Sequence, residues 1–431
     1  MYDDMLGAED MNKEKLKDRL SFYREHLYGT IMPFWLEKAM DKEYGGYFTC
    51  FNSYGDQLVS TDKYTWSQGR MVWLLSKLAE MEEDPAQYLS LAQSGYEFLR
   101  DHSFLPSGHS AFLLTRDGTP KEPTQGQGYA ISTYADCFVV LGFAKYAAMG
   151  RDREALDLAL KLYNSITRRY ENWEFLTNPE PLPTGYKAHG IPMILLNTSQ
   201  ELLCAAEKFS HPDTEVIANS CHRLAEDLMS NFIREDGTIR ELVHDSLDAD
   251  TYLLSRYVNP GHSLEDMWFL MHHALKLGGK RQQEIIDTAC KVVKRAFQLG
   301  WDQEYGGLYH FVDANGGRPQ GDVGVFADHP LTKKLLEGWS DKLWWVHSEA
   351  VYVTLLGYTL TKNPDLRELY EQVHDYTFRT FPHPDPAVGE WIQIRDRQGQ
   401  PMDKVVALPV KDPFHISRNL ILLIELLEKT I

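Results

Sequence analysis

Three things are scarce in this sequence of 431 residues: cysteine, long apolar runs and basic charge. The five cysteines lie far apart without a CxxC pair, so neither a disulfide framework nor a cysteine-based zinc site is expected. We expect buried free thiols, as in proteins of a reducing cytoplasm. The five are Cys50, Cys137, Cys204, Cys221 and Cys290.

The other two shortages exclude further classes of protein. No apolar run approaches the ~18 residues of a membrane-spanning helix, and the acidic N-terminus lacks the apolar stretch of a secretory signal. Lys and Arg number 44 against 62 Asp and Glu, which gives a net charge of −18. Because nucleic acids and anionic membranes bind basic patches, neither is expected as a partner. The prediction is a cytoplasmic protein.

Several catalytic motifs are also missing. The chain has no GxxxxGKS/T phosphate loop, no GxGxxG turn, no HExxH zinc pair and no GxSxG nucleophile elbow. The adjacent His272 and His273 and the other dispersed histidines lack metal-ligand spacing. These absences favour an acid/base site that uses no metal, and no cofactor is expected in the chemistry.

Helical periodicity dominates what is present. Apolar residues recur at three-to-four spacing in twelve segments, enough for six helical hairpins. Four alternating segments with Asn, Asp or Gly turns predict small β-hairpins between helices, at 45–57, 111–120, 306–317 and 390–401. No long parallel-strand crossover follows them, which disfavours a doubly wound α/β fold. The helical segments are 12–29, 70–83, 86–101, 131–149, 152–170, 191–208, 214–233, 262–277, 281–298, 347–361, 365–380 and 415–430.

Two internal repeats indicate how the hairpins are arranged. Residues 41–55 return at 302–316, and residues 63–74 return at 342–353. Repetition at this separation favours a closed or stacked array of hairpins over independent domains. We therefore predict an all-α fold, a single (α/α)6 barrel over residues 1–431 with a loose tail at 1–11. The second repeat aligns Trp66 with Trp345, Gln68 with His347, and Arg70 with Glu349.

The strongest candidate site residues lie in NPGHSLEDMWFL at 259–270. His262 and Glu265 are three residues apart, on one face of a helix that begins after Asn259-Pro260-Gly261. A carboxylate beside an imidazole raises its basicity, as a general base near neutral pH requires. A histidine that caps the helix beside an ordinary first-turn acid is the alternative.

Three further clusters open helices with polar residues. KLWWVHSEAVY at 342–352 offers His347 and Glu349 beside two tryptophans that could wall a sugar site. DPFHISRNL at 412–420 offers His415, and DKYTWSQGR at 62–70 offers Arg70, a bidentate donor suited to an oxyanion. A buried polar pair, a structural histidine and an ordinary ion pair are the respective alternatives.

At these positions the sequence resembles the N-acylglucosamine 2-epimerases, whose animal members are also called renin-binding proteins. NPGH-x-LE-x-x-W and KLWW-x-HSEA are the most specific blocks, and the matches run in order from about residue 34 to 425. The resemblance implies an (α/α)6 barrel that converts N-acetylglucosamine into N-acetylmannosamine. The other matching stretches are GGYFTCFNSYG, DKYTWSQGRMVW, AFLLTRDGTP, GWDQEYGGLYHF and EW…PFHISR.

The resemblance also implies roles for the candidate residues. The opened sugar would lose its C2 proton, pass through an enediolate and regain a proton on the opposite face. His262 and His415 would be the two bases, and Arg70 would stabilise the oxyanion. Glu265 and Glu349 would orient the histidines and bind sugar hydroxyls. The expected substrate-binding residues are Tyr64, Trp66, Asp136, His189, Met193, Trp345 and His347.

Departures from the family pattern leave the exact sugar open. Met193 stands where cellobiose 2-epimerases and mannose isomerases of the wider superfamily carry another catalytic histidine. His189 and Asp136 differ from the N-acyl pattern. A mannose 2-epimerase or aldose–ketose isomerase is therefore the nearest alternative. An inverting glycosidase that uses Glu265 and Glu349, or a non-catalytic sugar-binding protein, is more distant. The resemblance further implies a homodimer and ATP as a candidate allosteric ligand that the reaction does not consume.

Overall fold

The computed structural model describes residue 11, residues 13–248 and residues 250–431. The loose tail predicted at 1–11 lies outside the described residues apart from Met11. The helices are α1 (Lys13–Glu25), α2 (Met32–Lys38), α3 (Thr65–Met81), α4 (Ala86–His102), α5 (Thr133–Gly150), α6 (Arg153–Glu171), α7 (Gly190–Lys208), α8 (Thr214–Asn231), α9 (Leu253–Arg256), α10 (Pro260–Leu277), α11 (Gly279–Gly300), α12 (Pro330–Glu337), α13 (Trp344–Thr361), α14 (Pro364–Thr380) and α15 (Phe414–Thr430).

Six helices form a closed inner ring. α3, α5, α7, α10, α13 and α15 pack side by side in chain order, and α15 returns to α3. Outer helices α4, α6, α8, α11 and α14 each pack on the inner helix that precedes them, while α1 packs on α15. This is the predicted (α/α)6 barrel. Its sixth hairpin consists of α15 and α1, which come from opposite ends of the chain.

Residue type explains which helices are inside. α5 is apolar around most of its circumference, whereas α6 alternates buried apolar residues with exposed charges. α3 and α5 approach closely at two glycines, because a Cβ on Gly69 would lie 2.3 Å from the Phe138 carbonyl oxygen and one on Gly142 would lie 2.5 Å from the Gly69 oxygen. Among the described helices, none is long and apolar enough to cross a membrane.

Short antiparallel strands connect the loops at helix ends. β1 (Lys63–Tyr64), β2 (Leu113–Leu114) and β3 (Pro120–Lys121) form one sheet in that order. Three further pairs join β4 to β5, β6 to β7 and β8 to β9. These strands are β4 (Tyr186–Ala188), β5 (Leu242–His244), β6 (Tyr257–Val258), β7 (Val312–Asp313), β8 (Lys342–Leu343) and β9 (Ile394–Arg395).

Local antiparallel pairing occurs in three of the four predicted hairpin segments, but in two of them it is a single bridge, Phe51 to Leu58 and Arg395 to Pro401. Segment 111–120 contains β2 and the start of β3, and these two strands form the predicted hairpin. Segment 45–57 makes only isolated bridges, while β7 and β9 pair with the distant β6 and β8. The turns within 306–317 and 390–401 do form. The strand that leads into each turn, however, pairs with a strand in the loop before an inner helix.

Two predicted helices begin earlier than periodicity indicated. α3 begins at Thr65 rather than residue 70, and α13 begins at Trp344 rather than residue 347. Their first turns carry polar and aromatic side chains that face a cavity, which hides the apolar spacing. Near the N-terminus the helical path runs from α1 through a π-helical turn, His26–Ile31, into α2.

The two sequence repeats build the same buried ion pair twice. Lys63 Nζ lies 3.0 Å from Asp41 Oδ2 and donates to the Gly45 carbonyl at 2.6 Å. Lys342 Nζ lies 3.1 Å from Asp302 Oδ2 and donates to the Gly306 carbonyl. Arg116 and Arg397 add a second cation to Asp41 and Asp302 respectively.

The repeats match in one further contact. Gln68 Oε1 accepts the backbone N–H of Tyr47 at 2.8 Å, and His347 Nε2 accepts that of Leu308 at 2.9 Å. The alignment of Gln68 with His347 therefore reflects one structural role, which is to hold the preceding glycine-rich loop against an inner helix.

Candidate active site

A cavity of about 560 Å³ opens at the ends where the inner helices begin. All six inner helices supply side chains from their first two turns, so the barrel brings six distant segments of the chain to one place. These cavity-lining residues include Trp66, Arg70, Tyr134, Phe138, Met193, His262, Glu265, Trp345, His415 and Arg418.

His262 forms the first imidazole–carboxylate pair. Its Nδ1–H donates to Glu241 Oε2 at 3.0 Å, and one third of the side chain is exposed to the cavity. This bond leaves Nε2 as the nitrogen with a lone pair. Asn259 caps α10 by accepting the backbone N–H groups of Gly261 and His262, which fixes where the histidine leaves the helix.

The pKa values of His262 and Glu241 depend on each other. Burial alone would lower the pKa of His262, but the attraction of Glu241 outweighs it and raises that pKa above its ordinary value. Burial alone would raise the pKa of Glu241, yet His262 and His189 lower it to about 2. Glu241 is therefore a carboxylate at neutral pH.

His415 forms the second pair. Its Nδ1–H donates to Glu349 Oε1 at 2.7 Å, so Nε2 again carries the lone pair. Arg418 Nη2 donates to the same Glu349 oxygen at 2.6 Å and to Glu265 Oε1 at 2.5 Å. Burial opposes ionisation of Glu349, but Arg418 and His415 together lower its pKa to about 2.

Arg70 lies beside the second histidine. Its Nη2 donates to His415 Nε2 at 3.3 Å, and its Nη1 lies 3.4 Å from Asp412 Oδ1. The guanidinium lies over the rings of Trp66 and Phe138. Burial lowers the pKa of Arg70 to about 10, with Asp412 opposing this shift. Arg70 thus remains a cation at neutral pH, within reach of the cavity.

Trp345 lies between the two histidines. Its ring centroid is 5.5 Å from that of His262 and 5.7 Å from that of His415. Gly261 makes room for it, since a Cβ there would lie 2.4 Å from the indole. The indole therefore provides an apolar wall between the imidazoles, of the kind that packs against a sugar ring.

The structure brings most of the predicted residues together. Seven line the cavity: Arg70, Trp66, Met193, His262, Glu265, Trp345 and His415. Glu349 lies directly behind His415 with a fully buried side chain. Its oxygens accept hydrogen bonds from His415, Arg418 and Trp268. Its predicted roles, orienting His415 and binding sugar hydroxyls, stay predictions.

Four predicted substrate-binding residues do not line the cavity, and their role in substrate binding stays a prediction. Asp136 pairs with Arg169 at 2.7 Å and accepts bonds from Ser110. His347 is bonded through both ring nitrogens to backbone, and burial lowers its pKa to about 3. Tyr64 belongs to β1 and packs on the ring of Phe112.

His189 is the fourth residue outside the cavity. Its side chain is fully buried behind His262, between Glu241 and Asp266. Phe232 packs on its ring at a centroid distance of 5.7 Å. His189 is connected to the site through Glu241, which lies near both His189 and His262.

Sequence reasoning missed Glu241 and Asp412 and did not assign a role to Arg418. Glu241 comes from the segment just before β5, where no motif marks it. Arg418 follows His415 by three residues, so helical spacing could have shown that both face the same carboxylates. The cysteines also differ in one case, because Cys204 is exposed whereas the other four are buried as expected.

Among the residues that the structure describes, two groups of side chains could hold a metal ion. His189, Glu241 and His262 form one, and Glu265, Glu349 and His415 form the other, each with ligand atoms within 4.8 Å of one another. In the second group Arg418 already supplies a cation to both carboxylates. The prediction of a metal-free site stays a prediction.

A closed helical barrel with two imidazole–carboxylate pairs at one cavity defines an enzyme that moves protons on a small molecule. The chain belongs to the N-acylglucosamine 2-epimerase family, whose family model matches residues 46–417. Members of this family are isomerases.

Curated relatives support this assignment over nearly the whole chain. An N-acylglucosamine 2-epimerase of Bos taurus is 32% identical, covering 92% of this chain and 88% of the relative. That of Homo sapiens is 31% identical, covering 98% and 93%. The solved cellobiose 2-epimerase of Spirochaeta thermophila shares the fold, with a TM-score of 0.75 at 20% identity over 96% of this chain and 98% of that one.

Proposed function

We propose that the protein interconverts N-acetylglucosamine and N-acetylmannosamine by moving the proton at C2. The observation that carries this proposal is the pair of imidazoles, His262 and His415, each with Nδ1–H bonded to a buried carboxylate and Nε2 left with a lone pair. The names of the curated relatives support the choice of sugar.

The reaction begins on the open-chain aldehyde form of the sugar. One histidine takes the C2 proton on its Nε2, and the electron pair moves into the C1 carbonyl group to form an enolate, because C2 carries the acetamido nitrogen rather than an oxygen. The other histidine, protonated on Nε2, then gives its proton to the opposite face of C2. α10 and α15, which carry the two histidines, stand on either side of α13 in the inner ring, so the bases approach from different directions.

Arg70 is suited to stabilise the enolate oxyanion. Its guanidinium is a permanent cation within 3.3 Å of His415 Nε2, so charge that develops near this base meets a donor already in place. Glu265, held by Arg418 at the cavity wall, is available to sugar hydroxyls, and Trp66 and Trp345 provide apolar walls.

Met193 favours the N-acyl sugar over a free hexose. It lines the cavity on α7, where the resemblance places an additional histidine in epimerases of unsubstituted sugars. A thioether accepts the apolar part of an acetamido group and cannot transfer a proton. The glycosidase alternative loses support because Glu265 and Glu349 share one arginine and Glu349 is fully buried.

The experiment is incubation in D2O with N-acetylglucosamine, N-acetylmannosamine, glucose and mannose, each followed by proton NMR. We expect deuterium at C2 of the two N-acetyl sugars as they interconvert. Deuterium in glucose and mannose alone, or formation of a ketose, would contradict the proposal. A His272→Gln variant, altered at the far end of the inner helix, is the matched control.

Further properties belong to this proposal and rest on the resemblance and the composition. They are a cytoplasmic location, a homodimer, a single-domain chain, no cofactor in the chemistry and regulation by ATP. Light scattering tests the dimer. Exhaustive dialysis tests the cofactor, because an enzyme that needs only its own side chains keeps its activity.

A further inference from the structure

The two imidazole–carboxylate pairs are alike in a second respect: each carboxylate also lies near a second basic side chain. Glu349 Oε1 accepts Arg418 Nη2 at 2.6 Å. Glu241 Oε1 lies 3.4 Å from His189 Nδ1, on the side away from His262. Each base therefore shares its carboxylate with a second basic side chain, an arginine in one case and a histidine in the other.

Strand pairing places His189 beside Glu241. Ala188 of β4 pairs with Leu242 of β5, and the next step of the ladder joins the backbone N–H of His189 to the Glu241 carbonyl at 2.9 Å. The His189 side chain is fully buried, and its Nε2 lies 3.0 Å from Asp266 Oδ2. An imidazole with an anionic oxygen near each nitrogen is held in its doubly protonated form.

We propose that His189 is a positioning residue: its side chain, held between Asp266 and Glu241, shares Glu241 with His262 and so restrains the basicity of His262. This inference rests on the proposed two-histidine reaction. Each histidine must act as base in one direction and as acid in the other, so the two need comparable affinities for a proton. Glu241 alone would hold the proton on His262 too firmly.

The surrounding charges support this assignment. Besides Glu241 and Asp266, the titratable groups near this pair are His262 itself, Glu265, the phenols of Tyr134 and Tyr257, and the buried His310, whose pKa burial keeps well below its ordinary value. Burial opposes the charge on His189, but Asp266 and Glu241 together raise its pKa to about 10. His189 thus provides a nearby cation, with its ring centroid 6.4 Å from that of His262.

The test is a histidine titration by NMR, with 13C-labelled histidine and EDTA present, in wild type and in His189→Gln. Loss of a unit charge at this distance should raise the pKa of His262 by about 1–2 units. Glu241→Gln should move His262 in the opposite direction. His347→Gln, which alters a buried uncharged imidazole, is the matched control and should leave His262 unchanged.

A purely structural His189 gives a different result. Its loss would admit water and leave the pKa of His262 unchanged or lower, and either outcome overturns the inference. If His189→Gln does not fold, the wild-type spectrum decides, because a His189 ring that is neutral at pH 7 also overturns it. Deuterium exchange separates the two proposals. If wild type exchanges deuterium at C2 but the pKa of His262 does not shift in His189→Gln, this inference alone is refuted. If the pKa shifts but no C2 exchange occurs, the proposed function alone is refuted.

Discussion

His262 and His415 reach the cavity from different helices, so each can serve the C2 proton of one epimer. Replacing either with Asn should reduce net epimerisation by roughly 10²–10⁴-fold, the contribution of a positioned acid/base group. The surviving histidine should still exchange the proton that faces it. Each variant should therefore incorporate deuterium into one sugar, and the two variants should select opposite sugars.

Proton NMR in D2O measures both exchanges for each variant. A structural histidine would lower both together, along with the temperature of thermal unfolding. Equal exchange into both epimers by either folded variant would refute the division of labour between the two histidines.

His347 is a matched test of a residue that lies behind the site. Its Nε2 accepts the Leu308 N–H, as Gln68 does for Tyr47 in the first repeat. His347→Gln should therefore keep stability and KM close to wild type. His347→Ala leaves a buried N–H without a partner and should cost about 1–3 kcal/mol in urea unfolding. A large rise in KM for the Gln variant with stability intact would return His347 to the substrate site.

These residues show which parts of the site a local sequence motif can predict and which parts it cannot. His262, Arg70 and His415 were predicted because each opens an inner helix after a recognisable loop. Glu241 was missed because it lies 21 residues before His262 in a segment that no motif marks, and only the fold brings the two side chains together. His347 looked like a site residue because a buried histidine that accepts a backbone N–H has the same local sequence as a ligand-binding one.

Among the elements, the contact between α3 and α5 sets the position of Arg70. Gly69 precedes Arg70 and touches the Phe138 backbone so closely that a Cβ would lie 2.3 Å from a carbonyl oxygen. Gly69→Ala should separate the helices, lower stability by about 1–3 kcal/mol or more, and reduce activity by displacing the guanidinium. Gly150→Ala, at the end of α5 with only ordinary contacts, should be neutral or stabilising.

Thermal unfolding and steady-state rates of the two variants give the comparison. Wild-type activity in Gly69→Ala would mean that the helices adjust without moving Arg70.

The buried ion pair of the first repeat makes stability depend on acid. Burial opposes ionisation of Asp41, but Arg116 and Lys63 lower its pKa to about 2. Since an unfolded aspartate titrates near 3.9, this carboxylate contributes about 2 kcal/mol above that pH, and the contribution disappears as pH falls from about 4 to about 2. Urea unfolding at several pH values should show this loss.

Asp41→Asn should be less stable at pH 7 by about 3–5 kcal/mol, because Lys63 is left buried beside a neutral partner, and its stability should depend less on pH. Asp157→Asn, which removes an exposed pair with Arg153, should cost under about 1 kcal/mol. An unchanged acid dependence in Asp41→Asn would assign the effect to other carboxylates.

At the scale of the whole molecule, the barrel was predictable because helical periodicity, short connections and two sequence repeats all favour one ring of hairpins. The sequence pattern did not show which outer helix packs against the last inner helix of the ring. α15 carries His415 and Arg418, yet its outer partner is α1, from the opposite end of the chain. Arg24 pairs with Glu428, and Ser417 contacts Met32, so the two helical segments run antiparallel.

This closure predicts that the N-terminal helix is needed for activity although it contributes nothing to the cavity. Tyr23, Leu27 and Ile31 are fully buried in the core. Deleting residues 1–31 should expose the outer face of α15 and abolish both cooperative unfolding and epimerisation.

A circular permutant tests whether connection or packing matters. Joining Ile431 to Lys13 through a flexible linker, with new ends in the turn at 211–213, keeps every packed helix and makes the sixth hairpin continuous. We expect it to retain the fold and activity within about tenfold of wild type, since chain ends at exposed turns are tolerated. Circular dichroism and the C2 exchange rate measure both. Activity in the deletion variant, or its loss in a folded permutant, would show that α1 does not close the barrel around His415.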